Sequence, residues 1–325
     1  MTIDINKLHP EGVLEKAIEM RRSDMECYQD PETGMLKKEL EDYTNCMLCG
    51  IDNTDLLFMK EGFRFVQCKG CNLVYVNPRL NDEKIDHLYV SGRFEYQFRN
   101  LFIPSAAYRK EKLYAERLKL IESYMPTGKL LDVGAAAGHF METALERGWD
   151  AYGVELSPFG IEYAKNELKI KNIYKMGLLE QKFDGDFFDA ITMWDVIEHL
   201  KNPLDIVKEA YRILKPGGMI FVYVPNFDSV EVAVCKEKCD TIVADAHLIY
   251  FTTATIKELL QKADFNVVYT DTVGLDIDHT IFNIKNHFEK IYNTEFLNDF
   301  KQTLQDAIDK SGKGNWVRIF GKKKM

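Results

Sequence analysis

From Lys129 onward the chain alternates short apolar runs with helical segments, and this alternation restricts the fold more than any other feature. The runs Lys129 to Val133, Ala151 to Glu155, Phe188 to Met193 and Met219 to Val224 are strand-sized and largely apolar, as strands buried on both faces must be. Helices of ordinary length separate them, and such a pattern folds as a parallel sheet wrapped by helices, a doubly wound α/β architecture. The punctuation agrees. Gly148 stands where a helix starting at Gly138 needs a left-handed cap, and Ser157-Pro158 and Asn202-Pro203 each pair an N-cap with proline at the first helical position. Lys215-Pro216-Gly217-Gly218 stops the helix that carries Val207, Ala210, Tyr211 and Leu214. A helix around Thr253 to Lys262, a strand around Phe265 to Asp271 and a last strand from Trp316 to Gly321 complete the pattern.

The first strand breaks into a glycine turn at Leu130-Leu-Asp-Val-Gly-Ala-Ala-Ala-Gly-His-Phe140, the place where open α/β sheets bind ligands. Gly134, Ala135 and Gly138 bring backbone close to a ligand, and the helix that follows offers free amides. Twenty-three residues after Asp132, Glu155 ends the second strand with Leu156 behind it, where a carboxylate can take both hydroxyls of a ribose. A nucleoside ligand follows from that pair. Dinucleotide-binding enzymes use the same two positions with G-x-G-x-x-G, whereas this run is Gly134-x-x-x-Gly138 with Ala136 between. Both ligand classes stay open at this point, beside the plainer reading of glycines kept for packing.

Cys46-x-x-Cys49 and Cys68-x-x-Cys71, with eighteen residues between the pairs, have zinc-ribbon spacing. Four thiolates close a tetrahedral shell with no open position, so the expected zinc is structural, in a self-standing module over 44–79; iron fits the same shell. Redox use or two disulfides is the alternative. Cys235-x-x-x-Cys239 can share one helix face, but two thiols make an incomplete metal site.

The remaining segments are a polar helical stretch over 1–43, a helical linker or lid over 80–127, and an α/β domain over 128–325 with a helical insertion at about 275–312. The linker carries an aromatic and basic patch of Arg93, Phe94, Tyr96, Phe98 and Arg99, read as a solvated surface. The insertion is rich in aromatics at Phe282, Phe288, Tyr292, Phe296 and Phe300, and a lid over a substrate is its natural reading. Lys+Arg 42 against Asp+Glu 51 leaves a net charge of -9, so nothing global draws the chain to nucleic acid or to an anionic membrane. The longest apolar run, Met219 to Val224, is far short of a membrane span, and the start lacks a secretory pattern, which makes cytoplasmic the expected address.

Five ordered segments carry a resemblance: Leu-Asp-Val-Gly-Ala-Ala-Ala-Gly-His-Phe, Gly-Val-Glu-Leu-Ser, Phe-Asp-Ala-Ile-Thr-Met-Trp-Asp-Val-Ile-Glu-His-Leu, Ile-Leu-Lys-Pro-Gly-Gly and His-Leu-Ile-Tyr-Phe-Thr. Over residues 128 to 272 the chain resembles class I S-adenosylmethionine-dependent methyltransferases, in the bacterial branch that resembles the ubiquinone-biosynthesis O-methyltransferases. The resemblance implies a Rossmann-like seven-stranded sheet whose last strand, Trp316 to Lys322, is antiparallel. It gives Gly134 and Gly138 the methionine portion of the cofactor, Glu155 the ribose, Gly177 and Leu178 the adenine, and Trp194 with Asp195 the wall beside the sulfonium. Four-cysteine ribbons ahead of such a domain occur in bacterial enzymes acting on sugars and secondary metabolites.

Methyl transfer is an in-line displacement, so the protein must place the nucleophile and remove its proton. His199, just past the fourth strand, and His247, past the fifth, should overhang the methyl group, and either imidazole is a base near neutral pH. Asp195, Glu198, His199 and His247 also resemble the E-x-x-E-H plus His metal site of small-RNA 2′-O-methyltransferases, which implies a second divalent metal lowering the pKa of a substrate hydroxyl. Asp195 departs from that pattern, and its shorter reach leaves it facing the cofactor. The expectation is methyl transfer to a small-molecule substrate, assisted by Glu198, His199 and His247. The alternatives are a cofactor-binding scaffold without catalysis and a nicotinamide oxidoreductase. Acceptor identity, acceptor atom and oligomeric state are not written in any residue.

Overall fold

The computed structural model describes residues 4–8, 10–239, 241–282 and 294–325. Of the expected lid aromatics, Phe288 and Tyr292 lie outside the described residues, and so do the side chains of Phe282 and Phe296.

Helix α1 (Val13–Tyr28) buries Ala17, Met25 and Tyr28. Three antiparallel strands follow, β1 (Thr54–Lys60), β2 (Phe63–Cys68) and β3 (Val74–Val76). Glu61 and Gly62 turn β1 into β2, both at positive φ (51° and 79°), as a two-residue hairpin matched to strand twist requires. After α2 (Ala115–Glu122) the alternating region runs β4 (Lys129–Val133), α3 (His139–Glu146), β5 (Asp150–Glu155), α4 (Pro158–Asn166), β6 (Ile173–Lys175), β7 (Phe188–Trp194), α5 (Pro203–Ile213) and β8 (Leu214–Pro225). The chain ends with β9 (Ile249–Tyr250), α6 (Thr253–Lys262), β10 (Asn266–Val273), α7 (Thr294–Lys310) and β11 (Trp316–Lys322).

Seven strands form one sheet in the order β10-β11-β8-β7-β4-β5-β6. Its pairs are parallel except for those of β11, which runs antiparallel to β8 and β10. The strand order reverses between β4 and β7, so their carboxyl ends open the crevice in which such sheets bind ligands. Leu131, Ile191, Met193, Ile220 and Val222 are fully buried along the middle strands. Each contributes about 1.5–3 kcal/mol against 0–1 for an exposed ion pair, so this apolar centre holds the crevice edge in place.

Local signals behave as their chemistry dictates, with three departures. The Ser157 hydroxyl accepts the Gly160 amide at 3.3 Å to start α4, and Gly148 closes the turn after α3 at φ 89°. Asn202, in contrast, makes no side-chain cap on α5. Lys215-Pro216-Gly217-Gly218 bulges within β8, since Leu214 pairs with Phe188 and Met219 with Ala190. Cys235 and Cys239 do not share a helix face either, because the helix ends at Cys235 and a 3-10 turn, Lys236–Lys238, intervenes.

The cysteine-rich strands share a sheet and a core with the α/β half. β9, from the α/β half, pairs with β3 (Ile249↔Tyr75, Tyr250↔Val74) and makes the ribbon sheet four-stranded, in the order β9-β3-β2-β1. Phe63, Phe65 and Leu73 belong to the same hydrophobic cluster as Ile197, Leu248 and Phe251. The larger domain thereby covers a face of the three short strands. Among the described residues no helix is long and apolar enough to cross a membrane.

Candidate functional site

The turn after β4 is built for close approach of backbone. Gly134 and Gly138 have φ of 73° and 83°, and Ala136 joins them at 51°, a left-handed conformation unusual for a residue with a side chain. A Cβ on Gly134 would lie 2.6 Å from Val196, and one on Gly138 2.7 Å from Ile170, so both glycines also serve packing. The Gly134 and Ala135 amides donate to the Val154 carbonyl at 2.9 and 3.1 Å, which ties the turn to β5. Glu155, 7% exposed, accepts the amides of Leu156 (2.8 Å), Ser157 (2.7 Å) and Ala136 (2.8 Å). Burial raises its carboxyl nonetheless. Glu155 is therefore first a clamp between the two strand ends, with lone-pair capacity left for a diol.

Asp132 is buried, accepts the Thr192 hydroxyl at 2.7 Å and is pushed up to about 7 by burial. Asp195 is exposed at the crevice, at φ 55°, and accepts the Trp316 indole N–H at 2.9 Å. Trp194 has its indole nitrogen buried without a partner, a donor aimed into the same space. Of the positions expected near adenine, Gly177 caps the short helix Leu178–Gln181, but Leu178 turns into the core at 2% exposed. The exposed apolar groups on these two neighbouring strand ends are Leu156 (42%) and Leu179 (47%).

Sequence reasoning missed Arg117 and Tyr89. The Arg117 guanidinium stacks 4.6 Å from the Trp194 ring and 4.7 Å from that of Tyr223, and its charge favours the ionised forms of Asp132 and Asp195. Tyr89 packs edge-on to Phe94, and burial, then the charges of Glu155 and Glu198, raise its hydroxyl. Neither belongs to a motif.

Glu198, His199 and His247 bring their ligating atoms within 4.8 Å of one another. The two imidazole rings meet edge to face at 4.7 Å. Nδ1 of His199 faces the Ala246 carbonyl at 2.8 Å and Nδ1 of His247 the Thr241 carbonyl at 2.8 Å. A carbonyl only accepts, so each Nδ1 carries the proton and each Nε2 presents a lone pair. Glu198 is 1% exposed, and neither carboxylate oxygen has a hydrogen-bond partner. Burial, then Asp195, holds its carboxyl well above the usual range. Crowding lowers both imidazoles, His247 to about 3 through burial and the adjacent His199, which itself keeps 24% of its side chain open. Asp195 stands outside the cluster, bound to Trp316 instead.

The four ribbon sulfurs likewise gather within 4.8 Å, with Cys46 to Cys71 at 3.5 Å and Cys49 to Cys68 at 3.4 Å, too far for disulfides. The Gly70 amide donates to Cys68 Sγ at 3.3 Å. The Tyr75 hydroxyl is buried without a partner, in the field of Cys46, Cys68 and Cys49. Four sulfurs converging on one point, with a backbone amide donating to one of them, suit ionised thiolates around a cation. The patch before β4 is less solvated than expected: Arg93 bonds the buried Asp245 at 2.7 Å, and Phe98 is 1% exposed.

A methyltransferase domain family model matches residues 105–270, just over half of the chain. The chain belongs to that family. It is similar to the Ubiquinone biosynthesis O-methyltransferase of Alkalilimnicola ehrlichii, 30% identical over 28% of this chain and 39% of that protein. It is also similar to Phosphoethanolamine N-methyltransferase 2 of Caenorhabditis elegans, 24% identical over 60% of this chain and 46% of that protein. The chain thus spans less than half the length of either relative. A solved chain from a complex of the Haloferax volcanii Trm112 methyltransferase activator has the same fold, at TM-score 0.50, 18% identity and coverage of 76% of this chain and 100% of its own. The seven-stranded sheet with its antiparallel last strand is the architecture that this methyltransferase resemblance implied.

Proposed function

We propose that this methyltransferase-domain protein binds S-adenosylmethionine at the β4–β5 edge and transfers its methyl group to a small-molecule acceptor held over Glu198, His199 and His247. We propose further that Cys46, Cys49, Cys68 and Cys71 hold a structural zinc, and that a second divalent cation sits on Glu198, His199 and His247. One observation carries the second site: Glu198, His199 and His247 bring their ligating atoms within 4.8 Å of one another, and neither Glu198 carboxylate oxygen has a hydrogen-bond partner, an arrangement that a cation would satisfy.

The cofactor supplies an electrophilic methyl carbon, and a divalent ion supplies Lewis acidity toward the acceptor's proton-bearing atom. The protein does the rest. Glu155, Gly134 and Ala135 orient the nucleoside end, while the buried carboxylate of Asp132 and the exposed one of Asp195 favour positive charge near Trp194. An acceptor held over Glu198, His199 and His247 would have its proton-bearing atom beside these groups, which would orient it and take up its proton.

The relatives differ in the atom their names assign, oxygen in one and nitrogen in the other, so acceptor chemistry must be found by assay. Calorimetry with S-adenosylhomocysteine and with NAD should show binding of the first alone, and NAD binding alone would overturn the assignment. Metal analysis should find one tetrathiolate zinc. With an acceptor in hand, His199→Ala and His247→Ala should each cut turnover by about 10²-fold or more while cofactor affinity holds. Wild-type turnover in both would remove the imidazoles from the chemistry.

A further inference from the structure

The two carbonyls that orient the imidazoles, those of Thr241 and Ala246, lie in the stretch 241–248, which has neither helix nor strand. Beside its own turn hydrogen bonds, the stretch is restrained by the amino-terminal third of the chain. The Lys60 ammonium, at the end of β1, donates to the carbonyls of Ile242 at 2.6 Å and Cys239 at 3.3 Å, bracketing Thr241. The Asp245 carboxylate, fully buried, accepts from Arg21 Nε of α1 and from an Arg93 terminal nitrogen, each at 2.7 Å, directly beside Ala246. Arg21 in turn grips Glu61 in the β1–β2 turn with two bonds of 2.9 and 2.6 Å. The Val76 amide of β3 donates to the Leu248 carbonyl at 3.0 Å, while the Leu248 amide donates to the Glu198 carbonyl at 2.9 Å.

We infer that the four-cysteine ribbon and α1 together set the tautomer and aim of His199 and His247, with Lys60 acting on His247 through Thr241 and Asp245 acting on His199 through Ala246. This rests on reading those imidazoles as the chemical site. An imidazole free in water favours the proton on Nε2, so the Nδ1–H form required of a ligand or acceptor at Nε2 must be imposed by a fixed carbonyl. The ribbon supplies the fixing. Its strands hold the loop on one side by pairing and on the other by a half-buried ammonium, and Tyr75, the register partner of Ile249, lies in the field of the sulfur cluster. Lys60 and Asp245 are thus positioning residues that need touch neither cofactor nor acceptor.

The test is nitrogen-15 NMR of histidine-labelled full-length protein near neutral pH. Wild type should show both imidazoles protonated at Nδ1. Lys60→Met should move His247 toward the Nε2–H form and leave His199 unchanged, whereas Asp245→Asn should do the reverse. Lys60→Arg, which keeps a donor for the two carbonyls, should restore the wild-type pattern. S-adenosylhomocysteine affinity should stay within about twofold throughout, because the glycine turn is held by β5. Folded Lys60→Met and Asp245→Asn proteins with both imidazoles still at Nδ1–H overturn the inference, as does an Nε2–H pattern in wild type. Should wild type bind no S-adenosylhomocysteine, the cofactor assignment fails while the tautomers still decide this one.

Discussion

At the residue scale, Asp132 concentrates the tension between fold and site. Its carboxyl is buried beneath the glycine turn with Thr192 as its hydrogen-bond donor, and burial pushes it up to about 7. The unfolded chain releases that proton near pH 4, the folded chain near 7. Between those values the native state binds more protons, so this group's contribution is most favourable at low pH and falls as pH rises, by about 4 kcal/mol once both states are ionised. Asp132→Asn keeps an oxygen for Thr192 and removes the titration. Its stability relative to wild type, measured by urea unfolding, should therefore rise from pH 5 to pH 8, and a pH-independent difference would show that Asp132 ionises normally. The same residue should make cofactor affinity climb through pH 7, since an ionised carboxylate favours a sulfonium. The sequence showed Asp132 and Glu155 as strand-end acids because spacing alone places them. It could not show that three amides already occupy Glu155, or that Ala136 adopts φ 51°, since both depend on how β5 and α4 meet the turn.

At the scale of elements, α4 is the support of that turn. Gly160, one helical turn in, lets the Ala136 carbonyl approach so closely that an added Cβ would sit 2.6 Å from its oxygen. Gly160→Ala must push the helix away or the turn inward. We expect a loss of about 1–3 kcal/mol in stability and weaker S-adenosylhomocysteine binding together, measured by denaturation and calorimetry. Stability and affinity both at wild-type values would show that the turn is not braced by α4. Elements were legible where periodicity was long: β4, β5, β7, α5 and α6 follow their apolar patterns closely. β6 was invisible as a run because only three residues pair, and β9 because two do. Both are strands only through their partners, and no local pattern records a partner. The buried pairing of Arg21 and Arg93 with Asp245, across more than 150 residues, was likewise unreadable.

At the scale of the whole molecule, the shared core between ribbon and α/β domain changes what metal removal should do. A module with its own core would melt first and alone. Here the buried ribbon residues Phe63, Phe65 and Leu73 cluster with Ile197, Leu248 and Phe251, and β9 is a strand of the ribbon sheet although it lies between β8 and α6 in sequence. Opening the ribbon would strip a face from the larger domain, so the two should unfold as one cooperative unit. Binding at a thousandfold excess over Kd stabilises by about 4 kcal/mol, and in a protein of this size each kcal/mol moves the midpoint by roughly 2 °C. Scanning calorimetry with a zinc chelator should therefore show a single transition lowered by roughly 5–10 °C. A separate low-temperature peak, with the main transition unmoved, would mean that the ribbon unfolds by itself, and would also weaken the case that it holds the histidine loop in register. A shift of the whole transition, with His247 losing its Nδ1 proton in step, would tie the thiolate centre to the chemistry at the far side of β3.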